Sequence, residues 1–296
     1  MLNGTAFSRD AEYHRQHKLN SQVSIFFAGS FMRIWSRGLK VVSINEGFEK
    51  VFWDYVNRDP FDYYFFILDL KDRPEQTKIL LAMDGNRVEG LALIFADRIA
   101  QFRGSREAVK KLLEHVNLEK VELQAPLECE DIITKKYVPS VRLVIVLMKL
   151  RKGEEKLQIK HDVVRIGPQD AERVAELMRS ADPEWWGEIT TEDRKEPLEK
   201  TYFLGVRQDG KIVSLGNTRL VDFGSNIGVV ATDAGYRNRG YATSVVSALV
   251  QEILKHSPVA IIHVREDNGP AVRAYSKVGY KDYKRYLLLR GGRIRR

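Results

Sequence analysis

The chain has 296 residues, of which 44% are hydrophobic and 30% charged, and its formal net charge is +8. That length fits two domains better than one, and the apolar content suffices for packed cores. A single cysteine, Cys129, excludes an intrachain disulfide, and no apolar run approaches the length of a membrane span.

The first residues lack the apolar run of a signal peptide, so a reducing, cytoplasmic setting is expected. Positions 281–296 hold seven Lys or Arg and one Asp, six of the eight net charges. A solvated, frayed terminus is the favoured reading of that segment over a nucleic-acid contact.

Residues 1–20 are polar, and 23–35 form an apolar stretch whose periodicity fits helix or strand. Asn45 can cap a helix with Phe48, Val51, Phe52, Tyr55 and Val56 on one face, ended by Pro60. The apolar run 63–70 reads as a strand. A hairpin over 78–96 turns at Asp84-Gly85-Asn86. There follow a strand over 99–102, a helix over 105–116, a strand over 121–124, a helix over 129–137 and a buried strand over 141–150. The charged stretch from Arg151 to about Lys160 reads as a linker, which divides the chain into domains 1–152 and 160–296.

The second half continues with a strand over 163–166 and a helix over 168–179 that opens on Pro168. Next come the loop DPEWWGEIT and a short helix capped by Thr190 or Thr191 and ending near Pro197. Strands over 202–207 and 211–221 meet at Asp209-Gly210. The two halves share one order of elements, and Gly85 and Gly210 of the two turns lie 125 positions apart. An internal repeat within an α/β fold with a mixed sheet is therefore expected.

The most informative stretch is IGVVATDAGYRNRGYAT, 227–243. It reads as an apolar strand, a loop with Gly235 and Gly240 flanked by Arg237 and Arg239, and the start of an amphipathic helix. Free backbone N–H groups, a helix dipole and a glycine without Cβ make such a junction a phosphate cradle. Tyr241 rather than Lys follows Gly240, which argues against a nucleotide hydrolase. Beyond a strand over 259–264, Asn268 can cap a helix that Gly279 ends, with Ala271, Ala274, Tyr275 and Val278 on one face. Tyr275 then sits one strand from the cradle.

These residues resemble the GNAT superfamily of acyl-CoA-dependent N-acyltransferases. Arg237-Asn238-Arg239-Gly240-Tyr241-Ala242 matches its pyrophosphate-loop pattern [QR]-x-x-G-x-[GA], and Asn268, Tyr275 and Gly279-Tyr280 match its second motif. The likeness spans 229–280 and extends more weakly to Val163. The N-terminal half resembles a degenerate copy, because its segment RIAQFRGSREA lacks the loop pattern; tandem chains of this kind include glycine-acyltransferase-like proteins. No cofactor is expected in that half.

The resemblance implies an N-acetyltransferase moving an acetyl group from acetyl-CoA to a primary amine of a small molecule or amino acid. Arg237, Asn238, Arg239, Gly240, Tyr241, Ala242 and Thr243 would hold the pyrophosphate, and Val229, Val230 and Ala231 the pantetheine, with Asn268 orienting cofactor or cap groups. Tyr275 would be the general acid. The strand lacks the family's Glu, which leaves Glu188 and His263 as candidate bases. Trp185 and Trp186, with Glu188, would line the acceptor pocket. No metal-ligand spacing is present. The alternatives are acetylation of a protein amine and a non-catalytic acyl-CoA-binding regulatory module. No membrane or nucleic-acid partner is expected, and a homodimer is left open.

Overall fold

The computed structural model describes residues 38–295, apart from the side chains of Glu184 and Trp185; the stretches read at 1–20 and 23–35, and Arg296, lie outside the described residues. The first half runs β1 (Lys40–Ser43), α1 (Glu49–Val56), α2 (Tyr64–Asp72), β2 (Thr77–Asp84), β3 (Arg87–Phe95), β4 (Ile99–Gly104), α3 (Arg106–Glu114), β5 (Lys120–Pro126), α4 (Glu130–Thr134) and β6 (Tyr137–Arg151). The second runs β7 (Val164–Arg165), α5 (Ala171–Ala181), α6 (Pro183–Trp186), α7 (Glu192–Lys200), β8 (Tyr202–Gln208), β9 (Lys211–Thr218), β10 (Ser225–Thr232), α8 (Tyr241–His256), β11 (Val259–Arg265), α9 (Gly269–Val278) and β12 (Lys281–Arg293). The two halves repeat one element order apart from the short α6, which only the second half has among the described residues.

The twelve strands of the described residues form one mixed sheet in the order β1-β2-β3-β4-β5-β12-β6-β11-β10-β9-β8-β7. The parallel neighbours are β4 with β5 and β10 with β11. Alternate residues feed opposite faces. Ala260, Ile262 and Val264 of β11 join the core under α8 and α9, whereas Val259 and Ile261 face α2. The α3 and α4 core lies on the same side as α8 and α9; α1, α2, α5 and α7 pack on the other.

The last strand of each half lies on the other half. β12 pairs with β5, and β6 pairs with β11, while β6 and β12 pair with each other from Lys281↔Lys149 to Arg293↔Tyr137. Leu287 and Leu289 of β12 are thereby buried in the N-terminal core, and Val146, Met148 and Leu150 of β6 in the C-terminal one. At about 1.5–3 kcal/mol for each fully buried apolar side chain, this exchange ties the two cores firmly together.

Several expectations are corrected. Residues 63–70 are not a strand: α2 is a helix, apolar around its circumference because it packs on its own half through Phe66 and Ile67 and on the other through Tyr64, Phe65 and Leu68. The basic segment after Lys281 is not a frayed terminus but the strand β12, whose Leu287, Leu288 and Leu289 are buried. α4 ends at Thr134, and Tyr137 already opens β6, its ring buried and its hydroxyl donating to the Val116 carbonyl. The DPEWWGEIT loop contains α6, and α7 runs three residues past Pro197. Thr190 rather than Thr191 caps α7, through reciprocal bonds with Asp193.

The linker is irregular but lies along α8. The Gln158 and Lys160 N–H groups donate to the hydroxyls of Ser247 and Ser244, both at 3.0 Å, and the Lys156 N–H donates to the Val278 carbonyl. The linker thus delivers His161 to the end of α8.

Candidate active site

The site begins where β10 and β11 part. Their parallel pairing covers only Ser225↔Ala260 to Ile227↔Ile262. Beyond it β10 stays with β9, β11 stays with β6, and a fork opens. A β-bulge sits at the same place: between Ile227↔Thr218 and Val230↔Gly216, β10 advances three residues against two on β9. Asn217 holds the bulge by accepting the Val229 N–H on Oδ1 at 2.8 Å. A Cβ at Gly228 would meet that oxygen at 2.7 Å and displace the Asn217 amide. Bulges add local twist and re-aim a strand, which accounts for β10 turning away from β11.

Past Thr232 the chain enters the cradle. Asp233 accepts the Gly235 N–H and is clamped to α5 by Arg173 at 2.6 Å; that bond holds its carboxyl below the usual carboxylate range. Asn238 and Gly240 adopt φ +63° and +83°. The first helical bond of α8 runs from the Ser244 N–H to the Gly240 carbonyl, and no side chain caps the helix. The N–H groups from Asn238 to Thr243 therefore find no acceptor among the described residues. Arg237 and Arg239 are exposed beside them. His161 meets the Arg239 carbonyl through Nε2 at 2.9 Å and stacks on Tyr241 at 4.2 Å, fixing the loop from outside.

The second motif closes the other side. Asn268 caps α9 by accepting the Ala271 N–H, and Gly279 ends it at φ +114°. Tyr275 is 6% exposed, and burial pushes its hydroxyl pKa up. Nearby, the Tyr280 hydroxyl is buried without a partner among the described residues.

A cavity of about 850 Å³ joins these parts. Val230, Arg237, Asn238, Gly240, Tyr241, Ala242, Thr243, Asn268 and Tyr275 line it, as do Arg265, Ala181 and Pro183. Three residues expected to hold the cofactor lie off its wall: Val229 and Ala231 turn to the α5 side of the sheet, and the Arg239 carbonyl engages His161. The unpaired N–H run, the exposed Arg237 and the fork beyond them suit a diphosphate followed by an extended amide-bearing chain.

His263 is on the opposite face from Tyr275. Its Nδ1 meets Asn226 Oδ1 at 3.0 Å, its ring contacts Phe65 of α2, and burial drives its pKa down to about 4. Glu188 is exposed after α6. Trp186 is partly buried against the α5 core, beside Ile189 and Val229, and the Trp185 side chain lies outside the described residues. The sequence reading missed the share of α2 in this region. Pro60 before it and Pro74 after it are helix punctuation that could have revealed it.

The N-terminal half differs at both corresponding points. Ser105 caps α3 by accepting the Ala108 N–H, so that helix start is closed. β4 and β5 also stop pairing, after Gln101↔Gln124, and Arg103 lies just beyond. It donates to Asp62 at 2.7 Å and Gln124 at 2.6 Å and stacks over Tyr286 at 3.8 Å. Among the described residues no group of three or more His, Cys, Asp or Glu is placed to hold a metal ion, and no helix is long and apolar enough to cross a membrane.

The family model described as FR47-like protein matches residues 203–288. No curated protein matches the chain. Among solved structures, a Drosophila protein superposes with TM-score 0.61 at 12% identity, covering 85% of this chain and 98% of its own. A GNAT-family acetyltransferase from Colwellia psychrerythraea gives 0.54 at 14%, covering 85% and 99%. A tandem GNAT protein from the clavulanic acid biosynthesis pathway, in a form without AcCoA, gives 0.52 at 12%, covering 86% and 98%.

Proposed function

Starting from a chain with the GNAT fold in tandem, we propose that the C-terminal half is an N-acetyltransferase moving an acetyl group from acetyl-CoA to a primary amine of a small molecule or amino acid. One observation carries this reading: a fork between parallel strands, an uncapped helix start and a buried tyrosine open into a single cavity.

The N–H groups from Asn238 to Thr243 would bind the diphosphate, with Arg237 adding charge, and β10 would pair with the pantetheine amides. The thioester then falls at the fork. Asn217 already occupies the Val229 N–H, so stabilisation of the oxyanion falls to another N–H of β10. Burial keeps Tyr275 protonated at neutral pH, as a proton donor to the departing thiolate requires. The same burial weakens Tyr275 as an acid. Transfer is favourable where the thiolate, leaving beside the same buried ring, is destabilised as well.

Titration calorimetry of the full chain with acetyl-CoA tests the binding step. One site per chain is expected, since among the described residues the helix start at α3 is capped and that at α8 is open. Two equivalent sites, or none, would count against the reading.

A further inference from the structure

We propose that the N-terminal half carries a docking groove for an extended acidic peptide of a partner protein, on the face of α3 that corresponds to the face of α8 covered by the linker. This rests on the repeated fold and on charge, and not on the acyltransferase reading.

The internal repeat shows what such a face is shaped to take. The core-facing residues of α3 are Ala108, Val109, Leu112, Leu113 and Val116, and those of α8 with the same spacing are Val245, Val246, Leu249, Val250 and Ile253. Aligning the two series puts Glu107 at the position of Ser244 and Lys110 at that of Ser247. Ser244 and Ser247 are fully buried, because the linker runs along them and donates the Lys160 and Gln158 N–H groups to their hydroxyls. The strands that lead into the two faces leave the sheet alike. After β6, the Lys152 N–H donates to the Pro258 carbonyl, just before β11. At the end of β12, the Arg293 N–H donates to the Glu119 carbonyl, just before β5. On α3, however, Glu107 and Lys110 are exposed, and both line an open cavity of about 1290 Å³. An extended segment fills this place in one half, and the other half presents it empty among the described residues.

Charge sets the sign of the occupant. Six cations line the cavity against three carboxylates. Lys110, Lys135 and Arg295 form no hydrogen bond or ion pair among the described residues. Lys136 meets two neutral acceptors, the Leu113 carbonyl at 2.6 Å and Asn117 Oδ1 at 3.2 Å, while burial and then the neighbouring Arg293 lower its pKa. Arg106 is paired with Asp131. Of the carboxylates, Glu114 is held by Lys111 at 2.7 Å and Glu119 by Arg293 at 3.7 Å. The charge left uncompensated is positive. Leu113, Ile132 and Ile294 add apolar surface to the wall. A strand with Asp or Glu on alternate residues and apolar residues between them meets both features.

A nucleic acid fits less well. Three carboxylates would face its phosphates, and no aromatic side chain lines the cavity for a base to stack on. Residues 1–37 hold five Lys or Arg and two Asp or Glu, the wrong sign for the groove.

The experiment is fluorescence anisotropy of a fluorescein-labelled peptide of alternating Glu and Val, about seven residues long, titrated with the full chain. Saturable binding is expected, weakening several-fold as salt rises from about 50 to about 200 mM. The Lys110→Glu, Lys135→Glu double variant should lose about tenfold or more in affinity, and should bind a Lys-Val peptide that wild type does not. Lys78→Glu, on the exposed side of β2, should change binding by less than about twofold. Hydrogen exchange should slow over 106–119 and 293–295 when the Glu-Val peptide is present, and thermal melts confirm that each variant is folded. Equal losses in Lys78→Glu and the double variant would mean bulk attraction and overturn the proposal. So would tighter binding of a single-stranded RNA oligomer through the same lysines. No binding of the Glu-Val peptide, or crosslinking of residues 1–37 to Lys110 in the free chain, overturns it as well.

Discussion

Replacing Asp62 with Ala should unfold both halves together. Asp62 and Arg103 are 7% and 2% exposed. Asp62 accepts from Arg103 at 2.7 Å, from Lys284 at 2.5 Å and from the Tyr286 hydroxyl. Its burial raises its pKa, but Arg103 and Lys284 outweigh that and hold it below the usual carboxylate range. Asp62 and Arg103 belong to the first half, whereas Lys284 and Tyr286 belong to the exchanged strand of the second. Removing one partner of a buried ion pair costs about 3–5 kcal/mol. Lys284 keeps Asp59 at 2.8 Å, so about 3 kcal/mol is expected, or roughly 6–12 °C in Tm for a chain of this size. Urea unfolding followed by tryptophan fluorescence and circular dichroism should show one coincident transition moved to lower urea. Adding Arg103→Met should recover part of the loss, because the stranded guanidinium is then gone. A loss below about 1 kcal/mol, or two transitions of which only one moves, would refute the interlocked account. The sign with pH is also fixed: a depressed carboxyl stabilises above its unfolded value, so the gap between wild type and Asp62→Asn should shrink as pH falls below about 4.

Gly240→Ala should weaken acetyl-CoA binding about tenfold in calorimetry while lowering stability by only about 1–2 kcal/mol. A Cβ there meets only His161 at 3.7 Å, and the cost comes from φ +83°. Asn217→Ala should cost about 1–3 kcal/mol in denaturant melts and lower kcat more than acetyl-CoA affinity, because it frees the Val229 N–H that fixes the bulge. Asp69 carries the opposite pH sign to Asp62. Its folded pKa lies above its unfolded one, so wild type loses stability as pH rises from about 4 to 7. Moving a carboxyl from 3.8 to about 7 corresponds to at most about 4 kcal/mol, and partial exposure reduces this to about 2. Asp69→Asn should therefore melt above wild type at pH 8 and level with it near pH 4; equal melting at both values would refute the buried-carboxylate picture.

Much of this arrangement was legible in the residues because it is set locally. Asp-Gly turns fix hairpins, Asn268 and Gly279 bracket α9, and a glycine-bearing loop between an apolar strand and an amphipathic helix can do little but present N–H groups. What was hidden depends on partners far along the chain. The alternation of β12 is the same whether it pairs with β11 or with β5, so nothing in Leu287 or Leu289 announces the exchange. A run such as YYFFILDL reads as a buried strand when it is in fact a helix covered on two sides. The bulge needs Asn217 opposite Gly228, two residues on different strands whose register no local pattern states. The packing of α2 across both halves was hidden for the same reason.

The central claim is that this chain transfers an acyl group from CoA to an amine with Tyr275 as the acid. Its most direct test is thiol release from acetyl-CoA across a panel of primary amines, for wild type and Tyr275→Phe. The account predicts release with a subset of amines, and a kcat for Tyr275→Phe lower by about 100-fold with acetyl-CoA affinity nearly unchanged. Full turnover by Tyr275→Phe at every pH, or acetyl-CoA binding without release for any amine, would contradict it.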